Sequence, residues 1–167
     1  MARKVVSAPA AGPIDLPGLI KKLERSIEAA RMRKATAMLK ADRFQLFAEV
    51  DAGHLIGVVK SQTDHDLFYS CRLGSDGSFA CCTQNLNVCG GLRGALCKHL
   101  LVLMIGLVQA GQLDAATADA WASASKKQKP VLDRDAMSQA FIRYKGAQAG
   151  EVDWRPTETM PEDYYAL

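Results

Sequence analysis

Five cysteines, all between Cys71 and Cys97, and one histidine just past them, His99, are the residues of this chain with the most chemistry to offer. They fall as Cys71, Cys81-Cys82, Cys89-Gly90-Gly91 and Cys97-Lys98-His99, the last group running straight into the aliphatic stretch Leu100 to Val108. There is no cysteine elsewhere. The N-terminus carries Arg3 and Lys4 but no apolar stretch of signal-peptide length. The run from Leu100 to Val108 is far short of the roughly 18 to 20 apolar residues that cross a bilayer. A cytosolic location is therefore expected, and there thiols stay reduced. An odd number of clustered cysteines is then a metal-binding or reactive set rather than a disulfide framework.

Cys97 and His99 constrain the geometry most. Residues two apart on a helix point in different directions, so both reach one ion only if Cys97 sits just before a helix and His99 in its first turn. The helix macrodipole and free N–H groups there also favour a thiolate. The remaining donors are expected from a hairpin around Gly74-Ser-Asp-Gly77. With Asp76-Gly77 as a two-residue type I′ turn, Cys71 lies opposite Cys82; with a four-residue loop, Cys71 faces Ala80 and Cys82 is one step diagonal. Both registers put Cys71 and Cys82 on one face and Cys81 on the other. The predicted donor set is Cys71, Cys82, Cys97 and His99, a closed Cys₃His site for one structural Zn²⁺. Cys89 is the first reserve, nearly level with Cys71, because the following glycines let backbone N–H groups approach its sulfur. Cys81 comes behind both. An iron–sulfur cluster fits the cysteine count, but the histidine favours zinc.

A hairpin ending in cysteines, a variable loop, and Cys97-Lys98-His99 opening an apolar helix resemble the SWIM zinc finger, whose pattern is C-x-C, a spacer, then C-x-H. Upstream, Phe44-Gln-Leu-Phe47, Gly57-Val-Val-Lys-Ser-Gln62 and Leu67-Phe-Tyr-Ser70 look like the strands that precede that motif, so the likeness covers roughly residues 35–108. Ala80-Cys81-Cys82 departs from C-x-C: Cys82 matches the second cysteine, and Ala80 stands where the first belongs, a place for Cys71 or Cys89 to fill. SWIM modules occur in chromatin-remodelling ATPases, transposase-like proteins and recombination accessory subunits. The resemblance implies binding to protein or nucleic acid and no catalysis.

The elements that must position these residues read as an α+β fold. Asp15 caps an amphipathic helix with Leu16, Ile20, Leu23 and Ile27 on one face; Ala35, Met38 and Leu39 suit either its continuation or a second helix. Residues 44–50, 54–60, 67–73 and 78–82 are rich in β-branched and aromatic side chains between turn residues, which predicts a four-stranded antiparallel meander. Three C-terminal helices are expected: 96–110 stopped by Gly111, one capped by Asp114 reaching Ser125, and one capped by Asp133 reaching Lys145. Residues 1–14 read as a flexible arm, 15–145 as a single zinc-binding domain with its core motif at 67–110, and 146–167 as an acidic tail whose Trp154, Tyr164 and Tyr165 dock in cis or on a partner.

The net charge of +3 hides an uneven distribution, since residues 1–146 hold 20 basic against 13 acidic side chains. Arg31, Arg33, Lys34, Lys126, Lys127 and Lys129 are candidates for tracking a phosphate backbone. No P-loop, Gly-x-Gly-x-x-Gly or Ser-His-Asp order is present, and Asp64-His65-Asp66 reads as a solvated turn. The expectation is a non-catalytic, zinc-stabilised interaction module, an accessory or adaptor subunit with protein partners and no membrane contact. Direct DNA or RNA binding is the alternative, and thiol redox chemistry by adjacent Cys81-Cys82 the third reading.

Overall fold

The computed structural model describes residues 14–92 and 95–153, the last five by backbone alone. Residues 1–13 of the expected arm, and Trp154, Tyr164 and Tyr165 of the tail, lie outside the described residues. The elements run α1 (Leu16–Ser26), α2 (Ala29–Ala41), β1 (Gln45–Val50), β2 (His54–Lys60), β3 (Phe68–Gly74), β4 (Phe79–Thr83), α3 (Lys98–Gln109), α4 (Ala115–Ser125) and α5 (Arg134–Asp153). The strands form one antiparallel sheet in the order β1-β2-β3-β4. The class is α+β, as the sequence predicts.

Asp15 caps α1 by accepting a hydrogen bond from the Gly18 N–H at 2.9 Å. The N-terminal region is two helices, because Ile27 is extended (φ −107°, ψ 138°). That break lets Ile27 and Met32, from either side of it, both reach the core. Helix α2 stops at Asp42, which is left-handed at φ 53°.

The sheet is covered on both faces. Against one lies α3, with Leu100, Leu101, Leu103, Met104 and Leu107 packed on Leu55, Val59, Leu73 and Phe79. Against the other lies α5, whose Met137 and Ala140 meet Ile56, Val58, Ala80 and Cys82. Double coverage leaves β4 buried at every residue. The usual apolar–polar alternation of an antiparallel strand is accordingly missing. Gly57 marks the close approach of α3: a Cβ there would run into the Phe47 carbonyl and to 2.6 Å from Leu103.

Asp114 caps α4 by accepting from the Ala116 and Thr117 N–H groups at 3.1 and 3.3 Å. Helix α5 continues eight residues past the expected end at Lys145, to Asp153. Gly146 and Gly150 each cost a helix about 1 kcal/mol, which is why propensity stops it early. Among the described residues, no helix is long and apolar enough to cross a membrane.

Candidate metal centre

The helix-borne half of the site is built as the spacing requires. Cys97 is the N-cap of α3 with extended backbone (φ −78°, ψ 169°), and His99 lies in the first turn. Behind them Leu100, Leu101, Leu103 and Met104 are fully buried, which fixes the helix start to the core. The Tyr69 ring stacks on His99 at 3.8 Å and 17°, setting the plane of the imidazole. Arg31 reaches across from α2 and donates to the Leu96 carbonyl at 3.0 Å, holding the approach to Cys97.

The hairpin-borne half corrects the expected register. Cys71 lies opposite Cys81, and Ser70 opposite Cys82. The loop has three residues, Ser75 to Gly77, with Gly74 N–H donating to the Ser78 carbonyl at 2.7 Å and Gly77 N–H to the Gly74 carbonyl at 2.9 Å. A type I′ turn needs positive φ at both central residues; here Gly77 alone has it, at 89°, as in a three-residue loop closed by a glycine bulge. Asp76 holds this loop by accepting from the Ser78 N–H at 2.9 Å and the Ser78 hydroxyl at 2.6 Å. The odd loop length moves Cys81 onto the face of Cys71 and turns Cys82 to the other, because a one-residue slip exchanges the faces of a strand. Cys82 accordingly packs in the cluster under α5.

A second, shorter hairpin brings in Cys89. After β4 the chain reverses through Leu86, left-handed at φ 62°, with Thr83 N–H donating to the Asn87 carbonyl and Cys89 N–H to the Cys81 carbonyl, both at 2.9 Å. Cys82 and Val88 form the bridge between the two. Cys89 thus stands across from Cys81 on the α3 side of the sheet. Gly91 N–H then donates to the Cys89 sulfur at 3.4 Å, the contact for which Cys-Gly-Gly was singled out. From sequence this segment is only a variable loop before Cys97, and the polar run Thr83-Gln-Asn-Leu-Asn87 is the one sign of the reversal.

Together these place Cys81, Cys89, Cys97 and His99 with their donor atoms all within 4.8 Å of one another, and all four buried. The Cys89 and Cys81 sulfurs stand 3.6 and 3.9 Å from His99 Nδ1. Thiolate and imidazole donors around one tetrahedral zinc are separated by about 3.5 to 3.8 Å, so the group fits a single ion of that size. Of the expected donors, Cys97 and His99 are in the group and so are the two reserves. Cys82 is on the opposite face, and Cys71 lies beside the group, 3.6 Å from the Cys81 sulfur.

The electrostatics point the same way. Burial pushes the Cys81 and Cys97 thiols well up. Hydrogen bonds from Cys81 and Cys97, then His99 and the Gly91 N–H, hold Cys89 far below the usual thiol range despite burial. Three thiolates in this apolar pocket repel one another, and a dication is the charge that lets all three ionise. Cys82, away from the group, is pushed up to about 11, first by burial and then by the charge of Cys71 and Cys89.

The basic candidates are dispersed. Arg31 is occupied with Leu96, while Arg33 and Lys34 on α2, and Lys126, Lys127 and Lys129 between α4 and α5, are exposed. Asp64, His65 and Asp66 form an exposed turn, as expected.

The chain matches no family model, no curated protein and no solved structure. The arrangement of the cluster is zinc-finger-like.

Proposed function

We propose that this chain is a non-catalytic, SWIM-like zinc-binding module that serves in the cytosol as an accessory or adaptor subunit of a larger protein assembly. The observation that carries the reading is the closure of the Cys81, Cys89, Cys97 and His99 group, four buried donors supplied by the protein itself. Catalytic zinc keeps a coordination position open to water or substrate, whereas structural zinc is enclosed by four protein ligands. The C-x-H half at the start of α3 supports the SWIM likeness, with Cys81 and Cys89 taking the place of C-x-C. The role assigned to the ion is to tie β4 and the Cys89 loop, hydrogen-bonded to each other through Cys81 and Thr83, to the start of α3. Structural zinc contributes roughly 10 to 16 kcal/mol of apparent binding energy, as much as the whole net stability of most domains.

The test is elemental analysis of the purified chain, followed by affinity capture from native cytosol with zinc-loaded and chelated protein. One zinc per chain, and a defined partner held by the loaded form alone, supports the reading; a metal-free folded chain ends it.

Direct nucleic-acid binding has one observation in its favour: Lys126 shares a cleft of about 320 Å³ with Arg25 of α1 and with Lys22, the last already paired with Asp119 at 3.0 Å, so that Arg25 carries the basic surface beyond the loop. Titration with DNA and RNA at two salt concentrations separates the readings. A steep salt slope is expected if phosphates are bound, and absence of binding at low salt leaves protein partners.

A further inference from the structure

We propose that Cys71 and Cys81 form a reversible oxidation site, at which a small peroxide closes a cross-strand disulfide and withdraws Cys81 from the metal's donor set. The proposal rests on the metal-centre reading for its consequence and on the hairpin for its chemistry. The two sulfurs are 3.6 Å apart and both side chains are fully buried. Gly74 N–H donates to the Ser78 carbonyl, and Cys81 accepts from Cys89 on the outer side of β4, so by alternation Cys71 and Cys81 occupy a non-hydrogen-bonded pair of the β3–β4 ladder. At such pairs the Cα atoms are about 4.5 Å apart and the side chains lean together. That separation lies within the roughly 4.4 to 6.8 Å that a disulfide spans.

The two thiols differ in position, which gives each a role. Cys81 is a donor of the metal group and would be a thiolate there. Cys71 stands outside the group, its sulfur 3.6 Å from that of Cys81, where it can act as the resolving thiol. The Cys81 thiolate attacks one oxygen of hydrogen peroxide; an S–O bond forms, the O–O bond breaks, and hydroxide leaves. Cys71 then adds to the sulfenic acid, the S–S bond replaces the S–O bond, and the departing hydroxyl and the Cys71 proton leave as water. With one proton to neutralise the hydroxide, one peroxide yields one disulfide and two waters. Cys89, Cys97 and His99 remain as three donors, and the site is no longer closed. The oxidant has to be small, because both sulfurs are fully buried; glutathione disulfide is too large to reach them.

The experiment uses the full zinc-loaded chain. Zinc content is measured first, which tests the metal-centre reading separately. Hydrogen peroxide is then added, with zinc release followed by a chromogenic chelator and disulfides mapped by differential alkylation and peptide mass. The expected result is a Cys71–Cys81 disulfide that appears with zinc release, is reversed by dithiothreitol plus zinc, and does not form with glutathione disulfide. Cys71→Ser and Cys71→Ala should keep one zinc per chain and release it about tenfold more slowly under peroxide, because the remaining thiols beside Cys81, those of Cys89 and Cys97, are engaged as donors of the metal group. The mapped disulfide in the wild-type chain is decisive whether or not the variants fold. Disulfides confined to Cys81, Cys89 and Cys97, or release from the Cys71 variants at the wild-type rate, would overturn the proposal. A wild-type chain in which peroxide leaves both thiols free would do so too.

Discussion

The two faces of the sheet use the same strands for different ends. Toward α3, the side chains of Cys71, Cys81 and Tyr69 meet Cys89, Cys97 and His99 above a deep apolar core. Toward α5, Cys82 packs with Ile56, Val58, Ala80, Met137 and Ala140 and with partly buried neighbours such as Phe47, Phe68 and Tyr144, and Ser70 stands opposite it on the same face. Neighbours in sequence, Cys81 and Cys82 thus have different fates, metal donor group on one side and plain packing on the other. What separates them is the length of one turn.

The largest expected effect is an asymmetric collapse on removing the metal. With a strong chelator, or with Cys97→Ser, amide protection should be lost across residues 67–110, where apparent zinc binding of roughly 10 to 16 kcal/mol ties the hairpin to α3. Hydrogen exchange followed by mass spectrometry reads this directly. Unchanged protection in that segment of the metal-free protein would falsify a structural role for the ion.

Next comes the contrast between the adjacent cysteines. Cys81→Ala should weaken zinc binding more than the roughly 10- to 100-fold lost when an outer partner of a metal ligand is removed. Cys82→Ala should keep one zinc per chain and lose only about 1 kcal/mol, the ordinary effect of a small core truncation. Competition with a metallochromic chelator measures the first and urea unfolding the second. Equal loss of zinc in both variants would mean the register around Gly77 is wrong.

How much of this was legible in the sequence follows the range of the forces involved. The caps Asp15 and Asp114 and the position of Cys97 ahead of α3 with His99 in its first turn were readable, because each is set by residues within one helical turn. The meander was readable from β-branched runs between turns. The identity of the hairpin cysteines was not, since Asp76-Gly77 suits a two-residue turn and only the backbone of the closed loop, with Gly77 alone at positive φ, shows a three-residue one. Contact with α4 fits this closure, because a Cβ on Gly77 would run into the Ala124 carbonyl. Cys89 was reachable only as a reserve, because the reversal that places it uses a left-handed Leu86, a residue with no turn preference. The extension of α5 past Gly146 was hidden by poor local propensity.

Gly57 tests the depth of the α3 face. Gly57→Ala drives a methyl into the Phe47 carbonyl and the Leu103 side chain, and overpacking of this kind costs about 1 to 3 kcal/mol. The loss should appear as a lower urea midpoint at unchanged zinc stoichiometry. Full wild-type stability would mean that α3 can lift from β2 and that this face is less tightly packed than the other.

The smallest effect has the opposite sign and belongs to the α5 face. Ser70 is fully buried, and its hydroxyl finds no protein partner among the described residues. A buried hydroxyl without a hydrogen bond costs roughly 1 to 3 kcal/mol, whereas an apolar group of similar shape costs nothing there. Ser70→Ala should therefore be neutral or raise stability by about 1 kcal/mol, with the zinc site untouched because position 70 points away from it, opposite Cys82. On the metal face the same kind of truncation, at Cys81, removes a donor. A rise in the urea midpoint for Ser70→Ala beside lost zinc for Cys81→Ala would show that the two faces obey different rules: polar atoms on one are held by the ion, and on the other they are a burden. A drop of more than about 1 kcal/mol for Ser70→Ala would instead reveal a bound water or an unseen partner at that hydroxyl, and the contrast between the faces would narrow to the cysteines alone.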